Sequence, residues 1–310
     1  MNIHKKFFSK IGFSYLIFGI STLIIGMLII TVIGIINPGI LKNFNALTII
    51  TAICNYVLPF PILLFLMRKM EKQDLEKQKL SLKKFLLYLS ITFTLMWIGN
   101  LIGIAITSAI GGLFNFEITN PVHTLLDSTD IWLNITLISI IGPIFEEIFF
   151  RKLLIDRTIK YGAKVSIILS AVIFGFFHGN ISQFFYVFLL GGFFAYVYIK
   201  TGKIIYTIIL HITVNLMGSV ISTFAIKSLQ ALFSNSYGAI DLAVVAIYTL
   251  IVILTILFGL IGLSMFKKAK FNGSKTQIAL KHPLKTSLLN PGVICFIIFY
   301  SAVIIFNMIT

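Results

Sequence analysis

The chain is patterned in long apolar runs separated by short polar stretches. Nine runs stand out, at Phe8–Ile36, Ala46–Leu66, Phe85–Ile106, Ile131–Phe150, Val165–His178, Phe184–Ile199, Ile204–Ile226, Leu242–Phe266 and Val293–Ile309. Each is apolar all round, without the alternation that marks barrel strands, so the runs predict helices that cross a bilayer. The fifth and sixth are short for a span of about 20 residues and are expected to run on into flanking residues or to thin the membrane locally. The fold class is therefore all-α: a polytopic transmembrane helical bundle of about nine spans, with eight as the near alternative.

Composition agrees with the pattern. Of 310 residues, 58% are hydrophobic and 11% charged, with a mean hydropathy of +1.02. No soluble globular domain has this balance. The net charge of +15 would suggest a nucleic-acid partner in a soluble protein, but the basic residues cluster between apolar runs, as membrane topology demands. The expected partner is the lipid bilayer, with no nucleic acid. Alternating the loops puts 23 of the 25 basic residues on one side, with Lys42 and Lys227 on the other. The positive-inside rule then makes the N-terminus cytoplasmic and the C-terminus external. The basic N-terminal stretch is too apolar, for too long, to be a signal h-region, and reads as a retained first helix.

Cys54 and Cys295 lie in apolar runs without paired spacing and read as packing residues. No internal repeat is visible, which argues against a carrier built from inverted repeats. The charged stretch "MEKQDLEKQKLSLKK" allows a surface helix, although its charges are expected simply to face water.

Candidate chemistry lies in the few polar residues carried by apolar runs. Eight of the ten acidic residues fall in loops or at helix ends; Glu146 and Glu147, in "GPIFEEIFFR", do not. Ionisable groups at membrane depth are costly unless compensated, which makes them functional candidates. On a helix, Glu147 and Arg151 share a face and can pair, while Glu146 is turned about 100° away and stays available. Pro143 removes the backbone bond to the Ser139 carbonyl. His178 ends the fifth run, and His211 and Asn215 share one face of the seventh. His4, His123 and His282 fall in terminal or loop segments and are expected to be solvated. A carboxylate can take a proton from water, while imidazoles and an amide can hold a developing oxyanion or protonate a leaving amine. Glu146, His178 and His211 could equally bind zinc, so hydrolysis with or without metal stays open. The H-E-x-x-H, G-x-S-x-G and phosphate-loop signatures are absent from the sequence.

Glu146-Glu147-x-x-x-Arg151, Phe174-x-x-x-His178 and His211-x-x-x-Asn215 together resemble the three ordered motifs of the CPBP family. That family comprises type II CAAX prenyl proteases, bacteriocin-linked (Abi) homologues and the lysostaphin-resistance-protein-A-like group. The resemblance covers about residues 131–226. It implies an intramembrane endopeptidase in which Glu146 activates water, His178, His211 and Asn215 surround the attacked carbonyl, and Glu147 and Arg151 support the site. It leaves open whether the enzyme is a zinc metalloprotease. The expected organisation is an N-terminal set of helices over 1–130, a catalytic core over 131–228 and two further helices over 229–310.

A geometric condition accompanies this reading. His178 can reach Glu146 only if the fourth helix continues past Arg151 to about Ile159 and turns at Tyr161-Gly162. The expected substrate is a peptide or membrane-protein segment. The Lys-, Phe- and Ile-rich, Cys-poor composition suits an AT-rich bacterium, hence a bacterial cytoplasmic membrane and a role in pheromone or bacteriocin processing or immunity. The alternative from another class is a non-catalytic scaffold or immunity factor acting through partner membrane proteins.

Overall fold

Asn2 opens the first helix, its side-chain oxygen accepting from the His4 N–H at 3.1 Å. The computed structural model of the chain describes residues 2–114, 126, 128–266 and 278–309. Helix α1 spans Ile3–Ile36, α2 Phe44–Met67 and α3 Leu82–Phe114. They are followed by α4 (Ile131–Tyr161), α5 (Ala163–Phe177), α6 (Ile181–Thr201) and α7 (Ile204–Phe233). The C-terminal part holds α8 (Ala239–Phe266), the short α9 (Pro283–Leu288) and α10 (Pro291–Ile309). No strand occurs among the described residues. The all-α polytopic bundle is thus the observed fold, with eight helices among the described residues long and apolar enough to cross a membrane.

The fifth run became α5. Its 15 residues reach about 22 Å, short of the hydrocarbon core. It pairs with α6 as a hairpin, turning at Gly179, whose φ of +59° suits glycine and whose carbonyl accepts from Asn307 of α10. Asn180 then caps α6 by accepting from the Ser182 N–H.

The main departure from the apolar pattern is in α4. The pattern ends at Phe150, yet the helix continues to Tyr161, and Gly162 makes the turn with φ +103°. The condition set by the His178 geometry is met. The charged residues of this extension had the look of a loop, but Arg151, Asp156, Arg157 and Lys160 are buried, and Lys152, though exposed, is paired. Asp156 accepts from the Tyr198 hydroxyl at 2.7 Å and pairs with Lys152 at 2.8 Å. Arg157 donates to the carbonyls of Met67 and Leu153. Partners supplied by α6 and the α2–α3 connection make burial affordable where hydropathy alone forbids it.

The α2–α3 connection is not a helix. It lies extended across one end of the bundle, where Gln73 donates to the Asp156 carbonyl, Gln78 to the Thr201 carbonyl and the Leu80 N–H to the Tyr206 hydroxyl. Gly202 permits the contact, since a Cβ there would stand 2.4 Å from the Glu76 carbonyl oxygen. At the same end, His4 touches the Tyr161 hydroxyl, Lys160 pairs with Glu71, and Ile278 donates to the Lys160 carbonyl. The segments that carry most of the basic residues therefore meet at one end of the molecule. His4 is part-buried there rather than solvated, and His123 lies outside the described residues.

Small residues set the helix spacing. A Cβ on Gly99 or Gly103 of α3 would lie 2.3 Å or 2.4 Å from the α6 backbone, at Tyr186 and Ser182. Helices α1 and α10 meet in the same way, with Gly292 against the Ser9 carbonyl. Aromatic side chains from α1, α4, α5 and α10 fill one core, including Phe18, Phe149, Phe174 and Phe296. A second core joins α3, α6 and α7 through Met96, Phe194 and Leu210. Both cysteines are free, Cys54 buried and Cys295 exposed.

Gly292→Leu should separate α1 from α10 and lower the midpoint of thermal unfolding in detergent, at an overpacking cost of about 1–3 kcal/mol or more. Gly26→Leu, where a Cβ meets nothing within 4 Å, should leave the midpoint unchanged.

Candidate active site

Glu146 stands at the midpoint of α4, because the helix extends equally far on either side of it, from Ile131 to Tyr161. The winding around it is loosened. Residues Asn134–Ile141 and Ile148–Leu153 form π turns on either side of the α-helical stretch Gly142–Glu147. Such turns leave carbonyls without the usual partner and recur at functional sites. Gly142 donates to the Leu137 carbonyl, five residues back. The next donor in that register would be Pro143, which has no N–H. The carbonyl freed by Pro143 is therefore Ile138, not Ser139 as an α-helical register implies. Asn215 of α7 donates its side-chain N–H to it at 2.9 Å. In the second π turn, the Phe149 and Phe150 carbonyls accept from Tyr15 of α1 and Ser170 of α5. A further α4–α7 link joins the Ser139 and Ser219 hydroxyls at 2.7 Å.

The two adjacent glutamates have different surroundings. Glu147 has no exposed surface and forms an ion pair with Arg151, Oε2 to Nε 3.3 Å, the latter also fully buried. Its Oε1 lies 2.9 Å from His211 Nδ1. A carboxylate only accepts, so Nδ1 carries the proton of that bond. Glu146 points the other way, into a cavity of about 380 Å³. Its Oε1 accepts from the Tyr56 hydroxyl at 3.0 Å, and its Oε2 lies 3.6 Å from His211 Nε2.

Phe174 organises the remaining groups. The Arg151 guanidinium lies 4.2 Å above its ring, a cation–π contact in a water-poor setting. The rings of His178 and His211 meet it edge-on at centroid distances of 4.8 Å and 5.8 Å. His178 Nδ1 lies 3.0 Å from the Phe174 carbonyl, to which it must donate, and this leaves Nε2 for other contacts.

The sequence-derived residues come together. Glu146, His178, His211 and Asn215 all line the one cavity, while Glu147 and Arg151 sit sealed behind it. Trp97, Tyr186, Leu190 and Tyr248 supply much of the apolar wall. Sequence reasoning missed Tyr56 and Phe174's role as a shared platform. A tyrosine amid the apolar α2 run, just ahead of Pro59, was the only available signal for the first. Among the described residues, no three His, Cys, Asp or Glu side chains converge as a metal site. In the donor set named for zinc, Glu146, His178 and His211, each imidazole spends Nδ1 on a hydrogen bond, His211 to Glu147 and His178 to a carbonyl, so the two Nε2 atoms and the Glu146 carboxylate are the donors that would hold such an ion.

The fold and site define a class, a membrane-embedded helical bundle with carboxylates and imidazoles gathered around an internal cavity. Residues 128–217 match the family described as type II CAAX prenyl endopeptidase Rce1-like, and over this segment the chain is similar to that family. The family so matched is one of CAAX-type intramembrane proteases, which are hydrolases. The curated proteins and the solved structures contain no match to the chain.

Arg151→Met should destabilise the protein by about 3–5 kcal/mol in reversible unfolding measured in micelles, because it strands a buried carboxylate. Adding Glu147→Leu should restore most of that loss.

Proposed function

We propose that the chain cleaves a peptide bond within the bilayer using Glu146 as the base. The observation that carries this is the contrast between the glutamates: Glu147 is neutralised by Arg151 and His211, while Glu146 faces the cavity. A water beside Glu146 loses a proton to its carboxylate as its oxygen bonds to the substrate carbonyl carbon. The carbonyl oxygen becomes the oxyanion, held by the second side-chain N–H of Asn215, whose first is spent on Ile138, and by His178 in its imidazolium form, which carries a proton on Nε2 as well as on Nδ1. Collapse of this intermediate breaks the C–N bond, and the proton held by Glu146 passes to the leaving nitrogen. His211, oriented by Glu147, lies within reach of that exchange. No step is routed through zinc.

The substrate we propose is a peptide or membrane-protein segment whose apolar side chains occupy the aromatic wall of the cavity. The family's description makes a prenylated CAAX peptide the first probe. We place its physiological substrate among peptide precursors, in bacteriocin or pheromone processing or immunity, in a bacterial cytoplasmic membrane.

Purified protein in detergent should cleave members of a panel containing prenylated CAAX peptides and unprenylated apolar peptides. Glu146→Gln should reduce kcat by about 10²–10⁴-fold while the thermal midpoint is retained. Undiminished cleavage by Glu146→Gln would end the base assignment. A cellular phenotype that survives both Glu146→Ala and His211→Ala at normal protein levels would favour a scaffold.

A further inference from the structure

Tyr56 belongs to α2, outside the segment 128–217 that matches the family and outside the three motifs. Its hydroxyl nevertheless makes the closest contact to Glu146, donating to Oε1 at 3.0 Å. The way the chain delivers it there is specific. Residues Ile53–Val57 form a π turn, with Leu58 donating to the Ile53 carbonyl, five residues back. Pro59 and Pro61 follow and carry no N–H for an α-helical ladder, so the backbone around Tyr56 is rewound.

On the α4 side, the phenol ring stacks on Phe145 at 5.8 Å and an interplanar angle of 17°. Gly142 leaves room for the hydroxyl, since a Cβ there would be 2.9 Å from the Tyr56 oxygen. A larger residue at 142 would push the donor off the carboxylate. Tyr56 also lines the cavity, so the bond is made at its wall rather than in sealed core.

We infer that Tyr56 is a positioning residue for the proposed reaction, holding one oxygen of Glu146 so that the other faces the attacking water. A carboxylate on a flexible side chain has two equivalent oxygens and a free terminal torsion. Occupying Oε1 with a phenol fixes that torsion. Oε2 is then left toward His211 and the cavity, in the arrangement general-base catalysis requires. The inference rests on the reading of Glu146 as the base, and its test separates the two.

The variant is Tyr56→Phe, which keeps the stack on Phe145 and removes only the hydroxyl. On whichever panel peptide the wild type cleaves, kcat should fall on the order of 10- to 100-fold, as expected for loss of one hydrogen bond to a charged group and of alignment. KM should stay within about twofold and the thermal midpoint should hold, since binding and packing are untouched. Infrared difference spectra, wild type minus Glu146→Gln, isolate the carboxylate bands of Glu146 without any substrate. In the Tyr56→Phe background these bands should shift. Unshifted bands, an unchanged kcat, or a loss confined to KM and the thermal midpoint would each overturn the inference. Activity retained by Glu146→Gln, or a wild type that cleaves no peptide, would overturn the base reading instead. The infrared bands would still decide whether Tyr56 holds Glu146.

Discussion

A guanidinium with no exposed surface sits beside the cavity, and the arrangement around it depends on how that charge is held. Arg151 has a single carboxylate at ion-pair distance, Glu147, and its Nη1 and Nη2 have no hydrogen-bond acceptor among the described residues. Its flat face is covered by Phe174, with Phe194 further off at 5.5 Å. A buried pair of this kind contributes little net stability over an apolar substitute, since desolvation offsets the attraction. What it supplies is orientation. Glu147 must face Arg151, so it presents its other oxygen to His211; Phe174 must lie flat under the guanidinium, so its edges and carbonyl receive His178 and His211. One charge pair thereby fixes side chains from α4, α5 and α7.

The backbone of α4 provides a second, independent set of ties. Loosened winding exposes the carbonyls of Ile138, Phe149 and Phe150, and each is taken by a side chain of a different helix, Asn215, Tyr15 and Ser170. Within a bilayer an unpaired carbonyl costs several kcal/mol, so these bonds are obligatory once the π turns form. A regular α4 would satisfy its own carbonyls and lose this means of fixing α1, α5 and α7 against it. Pro143 makes the arrangement hard to undo, because no register gives the helix a donor at that position.

Much of this was legible in the residues. Apolar runs located the helices, since apolar length is the dominant constraint on a spanning segment. Helical spacing foretold both the Glu147–Arg151 pair and the separation of Glu146 from it. The boundary of α4 was legible only through the requirement that His178 reach Glu146, because hydropathy stops at Phe150 while Asp156, Arg157 and Lys160 are buried by partners remote in sequence, such as Tyr198, Met67 and Glu71. The extended path of the α2–α3 connection was hidden, because its backbone bonds go to Asp156, Thr201 and Tyr206, which no local pattern reveals. The freed carbonyl was placed one residue late because an α-helical register was assumed where the chain adopts a π turn. Tyr56 was missed because a single tyrosine in an apolar helix is ordinary until its neighbour across the bundle is known.

The place of Glu146 along α4 follows from the extension past Phe150. Had α4 ended with its apolar run, both glutamates would lie at the membrane surface, where water and salt would screen them and either could snorkel. The extension from Arg151 to Tyr161, with its charged residues partnered, lengthens the helix and puts Glu146 at its middle. Its neighbours there fix how the carboxylate lies, with Tyr56 on one oxygen, His211 near the other and the cavity between. Rotation by a single residue then separates the fates of two chemically identical side chains. Glu147 falls on the face closed by Arg151 and is consumed in holding the bundle. Glu146 falls on the face that opens to the cavity and keeps a carboxylate oxygen free for chemistry.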